Sequence, residues 1–142
     1  MTGAPFTLLG LDHVVLRVRD MATLERFYCE VIGCAVERRR EDLGLLHLRA
    51  GRSLIDLVDV AGPLGPGGGP APGHDGHNVD HLCLRIDPFD AAGIADHLRR
   101  HGVAVEETGM RFGADGEGPS IYLLDPEGNR VELKGPPVII DD

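Results

Sequence analysis

The stretch "LDHVVLRVRD" at residues 11–20 returns near the middle of the chain as "VDHLCLRIDP" at residues 79–88. Each copy contains an apolar residue, Asp and His, followed by apolar residues and an Arg at the fourth position after the His. Short segments rich in Val, Leu and Ile are typical of β-strands. The repeat therefore predicts two similar halves, each of which opens with a strand that carries a histidine.

The remainder of each half repeats as well. A helix-like stretch follows each opening strand and ends at Gly33 in the first half and at Gly102 in the second, as a left-handed C-terminal cap requires. Three further strands are predicted in each half, at 34–39, 44–49 and 53–60 and at 103–108, 119–124 and 129–134. We therefore predict an α+β fold, in which two paired βαβββ modules form a cupped, mixed, eight-stranded sheet.

We expect a single domain in which a stretch rich in Gly and Pro separates the two modules. Within this domain of residues 1–142, the predicted parts are module 1 at about 8–60, a linker at 61–78, module 2 at about 79–135 and an extended tail at 136–142. The linker "AGPLGPGGGPAPGHDGHN" cannot form a helix or a central strand. The glycine-rich segment "RFGADGEGPS" at 111–120 is typical of a mobile lid.

Composition excludes several classes of function. Fourteen Lys and Arg against twenty-three Asp and Glu give a net charge of −9, which disfavours binding to nucleic acid or to an anionic membrane. No apolar run approaches the roughly 20 residues of a membrane span, and the start of the chain does not resemble a signal peptide. Three cysteines at no zinc-like spacing indicate reduced thiols, so we expect a cytoplasmic protein.

Alternation of side chains assigns the two faces of the repeated strand. In the first copy, Val14, Leu16 and Val18 suit packing against the helix. His13 and Arg17 point the other way. The second copy repeats the pattern, with Leu82, Leu84 and Ile86 on the helix side and His81, Cys83 and Arg85 on the opposite side. Each half thus directs one histidine and one arginine into the same kind of space.

The last strand of each half carries a carboxylate at its centre, Asp56 in "SLIDLVD" and Glu132 in "NRVELKG". Together with His13 and His81 these residues give one imidazole and one carboxylate per half. Such a set suits a divalent transition metal such as Zn, Ni, Co, Mn or Fe(II). A lone strand histidine is usually structural, but its recurrence beside a matching carboxylate favours a metal site inside the cupped sheet. Asp is one carbon shorter than Glu, so coordination by Asp56 directly or through water stays open.

The motifs "LDHVVLRVRD", "RFYCEVIG", "VDHLCLRI" and "YLLDPEGNRVEL", in this order, resemble the vicinal oxygen chelate superfamily of glyoxalases, bleomycin resistance proteins and extradiol dioxygenases. The resemblance implies metal ligands at His13, Asp56, His81 and Glu132, although many members have Glu, Gln or His at the second position. It also matches Arg17 to an arginine that meets a glutathione carboxylate in glyoxalase I. An asparagine of the same glutathione cradle corresponds here to Val60, so use of glutathione stays open.

The leading functional hypothesis is a metal-dependent lyase or isomerase of the glyoxalase type. It would act on a small, anionic, oxygenated molecule through an enediolate-like intermediate, whose two oxygens the metal would hold. Glu132 is the candidate base, with Asp56 as the alternative. The strand arginines, Arg17 and Arg85, lie about 13 Å from the histidines of their strands and are expected to bind a distant carboxylate or phosphate. His47 and Tyr122 could line the cavity, depending on strand phase.

Two other functions and the assembly are left open. An extradiol-type Fe(II) dioxygenase would use His13, His81 and Glu132 with open metal positions, which a bound Asp56 would reduce. A non-catalytic protein that sequesters a drug or metabolite would not need all four ligand positions filled. We predict a homodimer, because each half has only half of the ligands and exposed strand edges need covering. The linker favours a site built within one chain, while a site between chains, as in glyoxalase I, is the alternative.

Overall fold

A computed structural model describes residues 3–139, whose strands form two four-stranded sheets. The strands are β1 (His13–Val18), β2 (Ala35–Arg40), β3 (Leu45–Ala50) and β4 (Ser53–Asp59) in the first half and β5 (Leu82–Arg85), β6 (Glu107–Gly113), β7 (Gly116–Leu124) and β8 (Arg130–Lys134) in the second. Their order is β1-β4-β3-β2 and β5-β8-β7-β6. Only the β1–β4 and β5–β8 pairs are parallel among these strands. The predicted α+β fold of paired βαβββ modules is confirmed, with the eight strands divided between two sheets.

One helix follows the opening strand of each half. Helix α1 (Met21–Arg26) continues as a π-helix over Phe27–Ile32, and α2 spans Ala91–Arg100. Each begins at an aspartate whose carboxylate accepts a hydrogen bond from a backbone N–H of the first turn. This N–H has no carbonyl partner within the helix. These caps are Asp20 with Thr23 at 3.1 Å and Asp90 with Gly93 at 3.0 Å. None of the helices in residues 3–139 is long and apolar enough to cross a membrane.

The predicted helix ends are confirmed by the backbone. Gly33 has φ of 94° and Gly102 has φ of 71°, a left-handed conformation that side-chain-bearing residues rarely adopt. The chain can therefore leave each helix and turn back towards the sheet.

Both halves share one apolar core. Side chains from the helix-facing sides of the two sheets and from both helices bury one another there, including Leu16, Val18, Leu24, Tyr28, Ile55, Leu57, Leu98, Ile121, Leu123 and Val131. Because neighbouring strand residues point to opposite faces, the other face of each sheet turns away from this core. The outward faces carry the predicted site residues, and we call them the polar faces of module 1 and module 2.

A buried chain of hydrogen bonds ties the halves together. The Tyr28 hydroxyl donates to Asp125 at 2.7 Å, and the Asn129 side chain donates to the same carboxylate at 2.7 Å. The Asn78 amide in turn donates to Asn129 at 2.9 Å and pairs with both the N–H and the carbonyl of Arg17. Buried polar groups that are all partnered in this way hold one relative placement of the elements they join.

The segment after α2 differs from the prediction. In place of a strand at 103–108 and a lid at 111–120, β6 and β7 form an antiparallel hairpin that closes at Gly113 and Gly116. The glycines have a packing role there, since a Cβ on Gly113 would lie 2.6 Å from the Lys134 side chain. The tail begins alongside β7, where Val138 donates to the Glu117 carbonyl at 2.7 Å, and its last residues, 140–142, lie outside the described residues.

The linker at 61–78 is held against the first module by Arg17. The guanidinium of Arg17 donates to four linker carbonyls, those of Gly65 at 2.9 Å, Gly68 at 3.0 Å, Gly69 at 2.5 Å and Pro70 at 3.0 Å. Close backbone approach is needed for this arrangement, because a Cβ on Gly65 would collide with the carbonyl of Val60. The Gly and Pro content thus allows the linker to wrap tightly around one side chain.

Gly65→Ala should therefore lower the free energy of unfolding by about 1–3 kcal/mol, since the added methyl group has no space. Gly67→Ala is the matched control, because a Cβ on Gly67 meets no atom within 4 Å. It should change stability by less than about 0.5 kcal/mol. Urea unfolding followed by circular dichroism measures both, and equal stability of the two variants would contradict the tight wrapping of the linker.

Candidate functional site

The polar face of module 1 presents a histidine, a carboxylate and a second histidine. Val15 of β1, Asp56 of β4 and His47 of β3 lie opposite one another in register, and His13 lies two residues before Val15. The Asp56 carboxylate is buried and accepts a hydrogen bond from Nδ1 of His47 at 2.7 Å. The strand phase of His47, left open by the sequence, thus places its side chain beside the predicted ligand Asp56.

The polar face of module 2 has the same layout. Cys83 of β5, Glu132 of β8 and Tyr122 of β7 lie opposite one another in register. His81, which immediately precedes β5, brings its Nε2 to 3.2 Å from Oε1 of Glu132. The hydroxyl of Ser120 donates to Oε2 of the same carboxylate at 2.6 Å. An imidazole nitrogen and a carboxylate oxygen therefore converge on one point of this face.

Glu132 is held in its ionised form by its neighbours. Burial raises the pKa of Glu132, but the hydroxyls of Ser120 and Tyr122 and the imidazole of His81 outweigh burial, so that the pKa lies below the usual glutamate value. Burial and the Glu132 carboxylate together raise the pKa of the Cys83 thiol to about 11. Cys83 is therefore protonated near neutral pH and is a poor candidate for a nucleophile.

Two aspartates that were not predicted as site residues orient the strand histidines. The Nδ1 atom of His13 lies 2.7 Å from Asp12, and that of His81 lies 2.6 Å from Asp80. Since an ionised carboxylate only accepts, each Nδ1 must donate, which raises the pKa of His13, with a further contribution from Asp56. The Nε2 atom of each ring is left available. The signal was present in the sequence as the repeated Asp-His pair.

A single chain does not bring the four predicted ligands together. Within residues 3–139, no group of three or more His, Cys, Asp or Glu side chains lies close enough to hold a metal ion. Whether the linker completes the site within one chain or between two chains stays a prediction. The shared core separates the two polar faces, so that each half presents its own histidine and carboxylate.

The two strand arginines predicted to bind substrate have partners within the chain. Arg17 holds the linker carbonyls, and a role in substrate binding would require its guanidinium to leave them. Arg85 donates to Asp115 at 3.1 Å beside a cavity of about 720 Å³ between the halves. Substrate binding by either residue stays a prediction.

Two further arginines lie on the polar face of module 2. The guanidinium of Arg130 stacks over the Tyr122 ring at 4.3 Å, and that of Arg111 lies 5.7 Å from the ring centre. Both donate to Glu107, at 2.5 Å from Arg111 and 2.7 Å from Arg130. Glu107 thus pairs with both cations, and the ionised Glu132 lies on the same face. The alternation that placed Arg130 beside Glu132 is the sequence signal for this feature, whereas Arg111 lay in the segment predicted as a lid.

One protein family matches this chain, in which a repeated strand opens each of two paired modules. The family model of the glyoxalase/bleomycin resistance protein/dioxygenase superfamily matches residues 10–133. The chain belongs to this superfamily. The resemblance seen in the sequence motifs is thereby confirmed.

Individual superfamily members are similar over most of the chain. A virulence protein of Salmonella typhimurium is 30% identical over 125 residues, which cover 87% of this chain and 81% of that protein. Human mitochondrial methylmalonyl-CoA epimerase is 26% identical over 140 residues, covering 94% of this chain and 78% of the epimerase. The crystal structure of lactoylglutathione lyase from Agrobacterium tumefaciens has a TM-score of 0.66 at 22% identity, covering 91% and 95% of the two chains, and supports the fold alone.

The donors on the two polar faces fit the divalent metal that the superfamily implies. His81 and Glu132 already converge to 3.2 Å. Asp80 and Asp12 hold Nδ1 of the two strand histidines, so that Nε2 is the nitrogen left to ligate a metal, as the outer carboxylates of metal-binding histidines do. Imidazole nitrogen with carboxylate oxygen is a donor set for Zn, Ni, Co, Mn or Fe(II) rather than for calcium.

Ser120→Ala is expected to raise the pKa of Glu132 in the metal-free protein, because a hydrogen bond to the charged form is lost. Carbon-13 NMR titration of the glutamate carboxyl groups measures this shift. Ser53→Ala is the control, since the Ser53 hydroxyl contacts the carbonyl of Leu11 and should leave Glu132 unchanged. A pKa of Glu132 that stays constant or falls in Ser120→Ala would show that this hydroxyl does not hold the carboxylate.

Proposed function

We propose that the protein is a metal-dependent lyase or isomerase of the glyoxalase type, whose site forms between two copies of the chain. The observation that carries the proposal is the pairing of one imidazole with one carboxylate on each outward face. His81 with Glu132 forms one half of the ligand set, and His13 with Asp56 forms the other. Neither half is sufficient for a metal site, and the two together give four donors.

A homodimer is the simplest way to complete this site. Each polar face turns away from the core of its own chain, so that in the proposed dimer the face of module 1 meets the module 2 face of another molecule. A twofold axis then repeats the same contact, and two equal sites result. The dimer would also cover His13 and His81, which are partly exposed in the single chain.

When bound, the divalent ion supplies a Lewis acid that stabilises negative charge on substrate oxygens. His13, His81 and Glu132, with a fourth donor from module 1, are the residues that would hold it. Glu132 is the proposed base for the proton beside the substrate carbonyl, since its carboxylate is ionised and buried. Asp56 is the alternative base, but its carboxylate accepts the hydrogen bond of His47.

An anionic substrate is supported by the charges around Glu132. Arg111 and Arg130 lie on the same face and share only one carboxylate, that of Glu107. Their planar guanidinium groups are suited to binding a carboxylate or phosphate. Arg85, further along the same face, is the predicted contact for the far end of the substrate.

Removal of a proton next to a carbonyl is supported by the relatives. The epimerase at 26% identity is named for methylmalonyl-CoA, whose epimerisation requires that proton to leave and return. The lyase of the same fold is named for lactoylglutathione. The protein should therefore exchange the proton next to the carbonyl of a compound in one of these classes, a thioester or a hydroxyacyl thioester.

The proposed reaction predicts deuterium incorporation from D₂O. Protein loaded with Zn, Ni, Co or Mn, incubated with methylmalonyl-CoA or lactoylglutathione, should exchange the proton next to the carbonyl, as measured by mass spectrometry. Glu132→Gln should lower the exchange rate at least about 100-fold, because the proposed general base, which is also a proposed metal ligand, is removed. Glu117→Gln, the same change at an exposed position of β7, should leave the rate unchanged.

Other outcomes of this assay identify the alternatives. Oxygen consumption and ring cleavage of a catechol by the Fe(II) form would favour an extradiol dioxygenase. Tight binding of a small molecule without turnover, in protein that contains no stoichiometric metal, would favour a sequestering protein. Either result would overturn the proposed lyase or isomerase.

The proposed site between chains predicts recovery of activity on mixing two inactive variants. His13→Ala leaves module 2 intact and Glu132→Ala leaves module 1 intact, so a mixed dimer contains one complete site. With random exchange of subunits, the mixture should regain about a quarter of the wild-type exchange activity, since half of the dimers are mixed and each has one site of two. No recovery in a mixture whose subunit exchange is demonstrated by mass spectrometry would place the site elsewhere.

A further inference from the structure

Three histidines on the two polar faces share one arrangement. In each, Nδ1 donates to a carboxylate at 2.6–2.7 Å: His13 to Asp12, His81 to Asp80, and His47 to Asp56. None of these Nδ1 atoms is free to bind a metal. Within residues 3–139, Nε2 of His47 has no hydrogen-bond partner, so this ring is prepared for ligation in the same way as the two strand histidines.

Asp56 is poorly placed to be a ligand itself. One of its carboxylate oxygens already accepts the His47 hydrogen bond at 2.7 Å. The corresponding residue of module 2, Glu132, is one carbon longer and reaches to 3.2 Å from His81. The shorter Asp56 makes no such contact with His13, although it lies at the matching register position.

His47 has the reach that Asp56 lacks. It lies two strands across and two residues along the sheet from His13, which places their Cα atoms about 12 Å apart for strands about 4.8 Å apart. Two extended histidine side chains joined by one metal can span this distance, since each metal–nitrogen bond adds about 2.0 Å. Both side chains stand on the same face of the sheet.

We propose that Nε2 of His47, and not the carboxylate of Asp56, is the fourth metal ligand, and that Asp56 orients the His47 ring. This inference rests on the proposed function and changes its chemistry. Three neutral imidazoles and one carboxylate leave a divalent ion with one net positive charge, whereas two carboxylates would neutralise it. A more positive centre stabilises an anionic substrate oxygen more strongly.

The competing arrangement keeps Asp56 on the metal and makes His47 its support, as Tyr122 lies beside Glu132 in the other half. X-ray absorption of the wild-type Zn or Co protein distinguishes the two directly, because imidazole rings produce multiple-scattering features that can be counted. Three imidazoles per metal support the inference. Two imidazoles overturn it, and the wild-type measurement does not depend on the folding of any variant.

A pair of variants gives an independent test by calorimetric titration with Zn²⁺. His47→Asn keeps a donor for Asp56 at the position of Nδ1 and removes Nε2, so its affinity should fall by more than about 100-fold, beyond the range for outer residues. Asp56→Asn keeps an acceptor for His47 and should lose no more than the roughly 10–100-fold typical of outer residues. His74→Asn, in the exposed part of the linker, is the control for loss of a histidine.

The outcomes separate this inference from the proposed function. The opposite order of affinities, with Asp56→Asn the weaker binder, would overturn the role of His47 and leave the metal site intact. Wild-type protein that binds no Zn²⁺, Ni²⁺ or Co²⁺ would overturn both. Circular dichroism melting of each variant confirms that a lost affinity reflects a lost ligand and not a lost fold.

Discussion

Everything about the site follows from the apolar core that the two halves share. Both sheets bury their helix-facing side chains in this core, and strand alternation then forces the remaining side chains outward. A half-site made of one histidine and one carboxylate is consequently displayed on each outer face of the monomer. In the proposed dimer, the burial that stabilises the single chain leaves each half-site to be completed by a second molecule.

The two half-sites make the same kinds of contacts, because the two halves repeat one sequence pattern. In both halves, the residue before the first strand histidine is an aspartate that holds Nδ1, and the central carboxylate of the last strand faces a ring on the next strand. Hydrogen bonds of this kind fix which nitrogen carries the proton. The hydrogen bonds that orient the metal-ligand candidates are therefore made within each half of a single chain.

The fold and the two half-sites could be predicted because their signals are local. Strand alternation, glycine at helix ends and the repeated Asp-His pair are all visible within short windows. Contacts between distant parts of the chain could not be predicted in this way. Arg17 binds linker carbonyls about fifty residues away, the glycines of the β6–β7 hairpin are there to admit Lys134, and the orientation of the two sheets depends on the whole core. The glycine-rich composition of residues 111–120 predicted a lid there, because the contacts that make this segment a hairpin involve distant parts of the chain.

The two halves differ in the residues around their central carboxylates, and this difference has a stereochemical consequence. Glu132 faces Tyr122 in one half, while the shorter Asp56 faces His47 in the other. A site with true twofold symmetry would offer equivalent groups to both sides of a planar intermediate and could return a proton to either. In the proposed site, one side meets a long carboxylate under an aromatic ring and the other meets an imidazole. The difference between the two halves thus allows the proposed site to distinguish the two sides of a bound planar intermediate.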